Sequence, residues 1–210
     1  MNPTPEKTSV MPPFILMLFL YFIVGLFTVI NQQFQVPLKS ALLPHDGNMT
    51  NALVTLLNFS WFLAYPFSEG FATRWVDRLG YRKTSVYSLL IFIAGLGFYE
   101  AAVLLHIYAP SYITIMGNPI FTGFFIFLSG SFVIGMAVTI LQVVTGLYLD
   151  VNPVGKTTPL QRQMIGGTTN SIGMAIGPLV VSYIIFYGIP LHNVQSREFI
   201  WPVICLIAII

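Results

Sequence analysis

Five long apolar runs dominate the sequence and limit what the chain can fold into. A helix crosses a hydrocarbon core of about 30 Å with about 20 residues. Because a segment in lipid must satisfy its own backbone hydrogen bonds, helices are the expected form of these runs. The sequence therefore predicts an all-α protein, a polytopic transmembrane helical bundle. The predicted spans lie at about 13–42, 51–75, 84–108, 119–149 and 160–188.

A sixth apolar run begins near Phe199 and continues to Ile210. A helix of this length rises only about 18 Å, which is too short to cross. We therefore expect an incomplete sixth span at 199–210 and interpret residues 1–210 as one N-terminal transmembrane bundle. On this interpretation the chain is a fragment, or an incomplete reading frame, of a longer membrane protein.

The composition excludes the common classes of soluble protein. Charged residues make up 8% of the chain and hydrophobic residues 56%, and the mean hydropathy is +0.80. A soluble domain carries about 25% charged residues. The formal net charge of +2 is too small for a nucleic-acid binder. One cysteine and three widely separated histidines provide no metal-ligand spacing, so we expect no metal and no cofactor.

The distribution of basic residues predicts the orientation. The N-terminal tail, the second loop and the fourth loop hold seven Lys and Arg residues, and the other three loops hold two. Cytoplasmic loops carry the excess of basic residues, so we expect a cytoplasmic N-terminus. The run that starts at Pro13 is too long for the core of a cleaved signal and is interpreted as a retained span. The expected location is the inner or plasma membrane.

Polar side chains line one face of the first span. At 100° per residue they fall within a wedge of about 100°. Polar groups in a span are unfavourable unless they face protein or a water-filled cavity. The stripe therefore indicates a lined cavity, with hydrogen bonding between helices as the alternative. The residues are Thr28, Asn31, Gln32, Gln35 and Lys39.

The second, fourth and fifth spans carry further candidates. Trp61 and Tyr65 lie near mid-span, where their rings suit a ligand with apolar C–H faces and hydroxyl edges, such as a sugar. Ordinary aromatic packing is the alternative. Gln142 and Asn170 lie among small residues, which allow close helix contact. The predicted solute-binding residues are Asn31, Gln32, Gln35, Trp61, Tyr65, Gln142 and Asn170.

Two carboxylic acids fall inside predicted spans. Glu100 lies deep in the third span, and Glu69 lies near the inner end of the second. Apolar surroundings favour the protonated form, which makes both residues candidate proton sites. In the alternative interpretation Glu100 opens into an outer vestibule, and Glu69 pairs with a basic neighbour such as Arg74 or Arg162.

The second loop places charged residues on both sides of a glycine. They are Asp77, Arg78, Gly80, Arg82 and Lys83. Glycine permits a tight turn, and charges at helix ends can form a network. This pattern resembles the signature loop between the second and third helices of the major facilitator superfamily, although Thr73 replaces its first glycine. The resemblance implies that these residues act as a conformational latch on the cytoplasmic side.

A narrower resemblance covers roughly residues 14–188. The stretches around Asn31-Gln32, Leu141-Gln142 and Thr169-Asn170 are similar to the fucose/galactose/glucose:proton symporter family. This implies the N-terminal six-helix half of a twelve-helix transporter whose C-terminal half is missing from the chain. The carboxylates that this family uses for proton coupling in helices one and four correspond to Gln32 and Gln142 here. Asn170 is retained.

These observations predict a secondary-active or facilitative transporter that moves a small neutral solute, most simply a monosaccharide, by alternating access. A major facilitator transporter of a drug or peptide is the alternative. Co-transport of a proton, co-transport of sodium and no coupling all stay open. We find no HExxH or GxSxG motif and no catalytic triad at a shared depth, so we do not expect an enzyme.

Overall fold

The computed structural model describes residues 11–34, 36–37, 43, 48–115, 118–189, 198 and 200–209. The described part of the chain is almost entirely helical. Its five helices are α1 (Met11–Gln33), α2 (Asn48–Tyr108), α3 (Gly123–Val151), α4 (Pro159–Val180) and α5 (Ile200–Ile209). A π-helical turn, Val181–Ile185, continues α4. Four segments are long and apolar enough to cross a membrane: Met11–Gln33, Thr50–Tyr108, Gly123–Val151 and Pro159–Ile185. The lengths and apolar compositions of these helices are compatible with a multi-pass membrane protein.

Helix α2 is a pair of helical arms joined at one glycine. Gly80 has φ 78° and ψ 167°, whereas helical geometry holds on both sides of it. The 61 residues of α2 would rise about 90 Å if straight, three times the hydrocarbon core. We call 48–79 the first arm and 81–108 the second arm. The loop expected between the second and third spans is thus a single-residue break.

Contacts with α3 show that the two arms run in opposite directions. In the first arm, Leu57 accepts a hydrogen bond from Ser131 and the Trp61 backbone lies against Gly135, so both residue numbers rise together. In the second arm, Gly95 lies against Ile134, and Gly130 lies against Tyr99, so one number rises as the other falls. The chain therefore reverses at Gly80.

Helices α1 and α4 run parallel and touch through glycine. A Cβ on Gly166 would meet the Tyr21 ring and a Cβ on Gly177 would meet Val29, so both residue numbers rise together. Between these points a Cβ on Gly25 would meet the carbonyl of Asn170, and a Cβ on Gly173 would meet the carbonyl of Phe22. Small residues at a membrane helix interface allow this close approach of backbones. The spacing Gly173 to Gly177, which the sequence predicts as a contact surface, lies against α1.

A short β-hairpin separates α2 from α3, which the sequence analysis did not predict. Strand β1 (Tyr112–Ile115) pairs antiparallel with β2 (Asn118–Phe121). Helix α3 consequently begins at Gly123, and not at 119. The hairpin is anchored because Phe121 is fully buried and packs on the His106 ring at 4.4 Å between centroids. Helix α1 ends at Gln33, and residues 38–42 of the predicted first span lie outside the described residues.

Replacing Gly80 by alanine is expected to lower the free energy of unfolding by about 1–3 kcal/mol, because its backbone angles lie in a region that only glycine adopts freely. No atom lies within 4 Å of a Cβ built at Gly80, so the effect comes from the backbone alone. Gly70→Ala is the matched control. Its Cβ is equally free, and alanine in a helix stabilises by about 0.5–1 kcal/mol relative to glycine. Thermal unfolding in detergent measures both variants, and equal stabilities would contradict this account.

Candidate functional site

A small cavity lies where α1, both arms of α2 and α3 meet. Its volume is about 10 Å³, which is room for one water-sized group. Its walls are apolar and aromatic except for three residues that carry polar groups. The lining residues are Phe27, Ile30, Asn31, Phe34, Trp61, Phe92, Leu96, Tyr99 and Ile134.

Two of the residues around this cavity carry a buried N–H donor. Asn31 Nδ2 and Trp61 Nε1 make no hydrogen bond of full geometry in the described part of the chain, although the Tyr65 hydroxyl lies near Trp61. Asn31 is 6% exposed and Trp61 is 1% exposed. More than 90% of buried polar groups in proteins are paired, and an unpaired group is destabilising by about 1–3 kcal/mol. The pair of donors therefore favours an oxygen acceptor at this point.

Tyr99 fixes the orientation of the Asn31 amide. The Tyr99 hydroxyl donates to Asn31 Oδ1 at 3.2 Å. Because the oxygen is held by Tyr99, the Nδ2 end of the amide is left for another partner. Tyr99 is in turn held by its ring, which stacks on Phe127 at 3.7 Å and 9°, and its hydroxyl lies near Ser131. Tyr99 is a site residue that the sequence analysis missed.

The predicted aromatic pair lies on the first arm beside this cavity. Trp61 lines it directly, whereas Tyr65 is half-buried one helical turn further on, with its hydroxyl near Thr28 of α1 and near Trp61. Thr28 Oγ1 itself donates to the Val24 carbonyl at 2.8 Å. The polar face predicted for the first span thus meets the aromatic face predicted for the second.

The other amides lie elsewhere. Gln32 is exposed and Gln142 is half-buried, whereas Gln35 lies outside the described residues. Asn170 Nδ2 donates to the Tyr21 carbonyl at 3.0 Å and so joins α4 to α1. Tyr21 is about 15 Å along the helix axis from Asn31. Asn170 is therefore engaged in helix contact at a different depth from the cavity.

The two predicted acids differ in their surroundings. Glu69 is exposed near the end of the first arm, close enough to Tyr65 for an electrostatic interaction. Glu100 is half-buried, and its Oε2 has no hydrogen-bond partner among the residues described. Neither acid lines the cavity that holds Asn31 and Trp61.

Arg162 is a buried cation, which the sequence analysis considered only as a partner for Glu69. It is 2% exposed, and its guanidinium donates to the carbonyls of Leu149 (2.6 Å), Asp150 (2.8 Å) and Thr157 (2.7 Å). The carbonyls at a helix C-terminus lack intrahelical partners and attract cations. Arg162 therefore caps the C-terminus of α3. Its guanidinium donates to these carbonyls and not to Glu69.

The residues predicted to form the latch surround the break in α2. Asp77, Arg78, Arg82 and Lys83 are all exposed, and none has a hydrogen bond or ion pair to another residue within the described ranges. Gly80 supplies the turn between them. Tyr81 packs edge-on against Tyr148 at 5.3 Å between centroids, which places this turn at the same end of the bundle as the α3–α4 loop.

Comparison of this chain with known proteins found no relative. No family model, no curated protein and no solved structure matches the chain.

Proposed function

We propose that the protein is a secondary-active or facilitative transporter of a small neutral solute, a monosaccharide in the simplest case. The observation that supports the proposal is that two residues around one aromatic cavity, Asn31 and Trp61, carry buried N–H donors that make no hydrogen bond of full geometry to a described residue. A hydroxyl oxygen of the solute would accept from both donors. The rings would pack on the C–H faces of the solute.

The lining of the cavity supports a neutral cargo. None of its lining residues carries a formal charge. Burying a charged ligand without a partner is strongly unfavourable, whereas a hydroxyl needs only hydrogen bonds. Because the cavity has room for about one oxygen, the rest of the solute would lie outside it.

The proposed fold is the six-helix half of a major facilitator transporter. Two features support it: the charged turn around Gly80 and the alternating directions of the helices that pack on α3. In such transporters two bundles rock about a central site to give alternating access. The latch at Asp77, Arg78, Arg82 and Lys83 would hold one of these conformations in contact with a second six-helix bundle.

Uptake by vesicles that contain the full-length protein tests the cargo. We expect radiolabelled hexoses to enter these vesicles, and unlabelled hexose in excess to block their entry. Counterflow with a pH gradient, with a sodium gradient and with neither then assigns the coupling. Failure of every hexose both to enter and to raise the melting temperature would overturn the sugar assignment. Uptake of a lipophilic drug or a peptide in its place would support the alternative cargo.

A further inference from the structure

A basic groove lies immediately after the Gly80 turn, on the second arm of α2. Its volume is about 310 Å³, and it is lined by Arg82, Lys83, Val86 and Tyr87. Arg82 and Lys83 are exposed and have no hydrogen bond or ion pair to any residue that the structure describes. The groove therefore combines two free cations with an apolar wall.

The surroundings of the groove place it at the membrane–water boundary. Trp75, on the first arm, packs edge-on against Tyr87 at 6.3 Å between ring centroids. Trp and Tyr are enriched at the level of the lipid headgroups. The groove begins only two residues after the Gly80 turn, where the chain reverses between two membrane-crossing arms.

An apolar track leads from the groove toward the membrane interior. Val86, Leu90 and Ile93 are exposed by 50%, 54% and 38%. Their spacing of four and three residues places them on one face of the helix, one above the other. This face continues the groove in the direction that an acyl chain would take from a headgroup bound at Arg82 and Lys83.

We propose that this groove is a binding site for an anionic phospholipid. The phosphate lies on Arg82 and Lys83, and one acyl chain lies along Val86, Leu90 and Ile93. Clusters of basic residues beside the end of a membrane helix attract acidic headgroups. The apolar track favours a lipid over free phosphate, which has no chain to place on it. The site shares Arg82 and Lys83 with the proposed latch, but its test measures lipid preference and not solute uptake, so the two proposals can fail separately.

Quenching of tryptophan fluorescence by brominated lipids measures the site, because Trp75 lies beside Tyr87. The purified protein is placed in vesicles that mix phosphatidylcholine with phosphatidylglycerol, of which only one is brominated. We expect phosphatidylglycerol to occupy the site at least tenfold more readily. Soluble glycerol phosphate should not displace it. Displacement by glycerol phosphate would overturn the proposed role of the acyl chain.

Charge variants distinguish specific lipid binding at Arg82 and Lys83 from general attraction of anionic lipids to any exposed basic residue. The double variant Arg82→Gln/Lys83→Gln should reduce the preference for phosphatidylglycerol by about 25-fold, since each basic residue near the membrane contributes about fivefold, and so should abolish a tenfold preference. Lys156→Gln is the matched control, because Lys156 is also exposed and lies in the loop at the same end of the bundle. Equal reductions in both variants, or no preference in the native protein, would overturn the proposal.

Discussion

Arg162→Met is expected to lower the free energy of unfolding by about 3 kcal/mol, because it removes three charge-assisted hydrogen bonds that contribute about 1.5–3 kcal/mol each, partly offset by removal of a buried charge. Methionine keeps much of the volume but supplies no donor, so the carbonyls of Leu149, Asp150 and Thr157 lose the guanidinium that they share. The free energy of unfolding of Arg162→Lys should lie between those of the native protein and Arg162→Met, because an ammonium group cannot reproduce the planar fork of donors. Unfolding in mixed micelles followed by circular dichroism gives the values.

The neighbouring cation provides the control for Arg162. Lys156 is exposed in the same loop, and a surface substitution of this kind changes stability by less than about 0.5 kcal/mol. The free energy of unfolding of Lys156→Met should therefore match that of the native protein. If Arg162→Met were as stable as Lys156→Met, the cap on α3 would have no energetic role.

Asn31→Leu is the second prediction and concerns binding. We expect the affinity for the transported solute to fall by about 10- to 100-fold, because the solute oxygen loses one of its two donors. Stability should also fall, by about 1 kcal/mol, because the buried Tyr99 hydroxyl loses its acceptor Asn31 Oδ1. Removal of the unpartnered Nδ2 group offsets part of this loss. Trp61→Phe removes the other donor and should weaken binding to a similar degree. Equilibrium binding of labelled hexose measures both.

Asn170→Leu is the matched comparison for Asn31→Leu, because it makes the same change in another membrane amide. Here the amide already donates to the Tyr21 carbonyl, so the variant should lose stability by about 1–2 kcal/mol and keep most of its solute affinity. The opposite pattern, with binding lost only in the Asn170 variant, would move the solute site to the α1–α4 contact.

The sequence predicts those features of the fold that depend on local pattern. Long apolar runs indicate membrane helices, and the glycine between charged residues indicates the turn at Gly80, because both follow from residue type alone. The hairpin is not predicted because its strands are only four residues long and β2 overlaps the start of the predicted fourth span. Phe121 is the last residue of β2, but its apolar side chain gives no sign in the sequence that it packs on His106 and not within a helix.

The candidate site was predicted in part for a similar reason. Asn31 and Trp61 are recognisable because a polar group within an apolar run needs a partner. Tyr99 is 68 residues from Asn31 in the sequence, and no local pattern pairs them. Arg162 looks like an ordinary loop cation, because its burial depends on how α4 folds back against the end of α3.

The glycine contact between α1 and α4 has a mechanical consequence. Where Gly25 and Gly173 bring the two main chains together, no flexible side chains lie between them to absorb a shear. Protein contacts of this density transmit displacement instead of deforming. When this bundle moves, α1 and α4 should therefore move together as one rigid body. The relative motion would then occur at their contacts with the other helices.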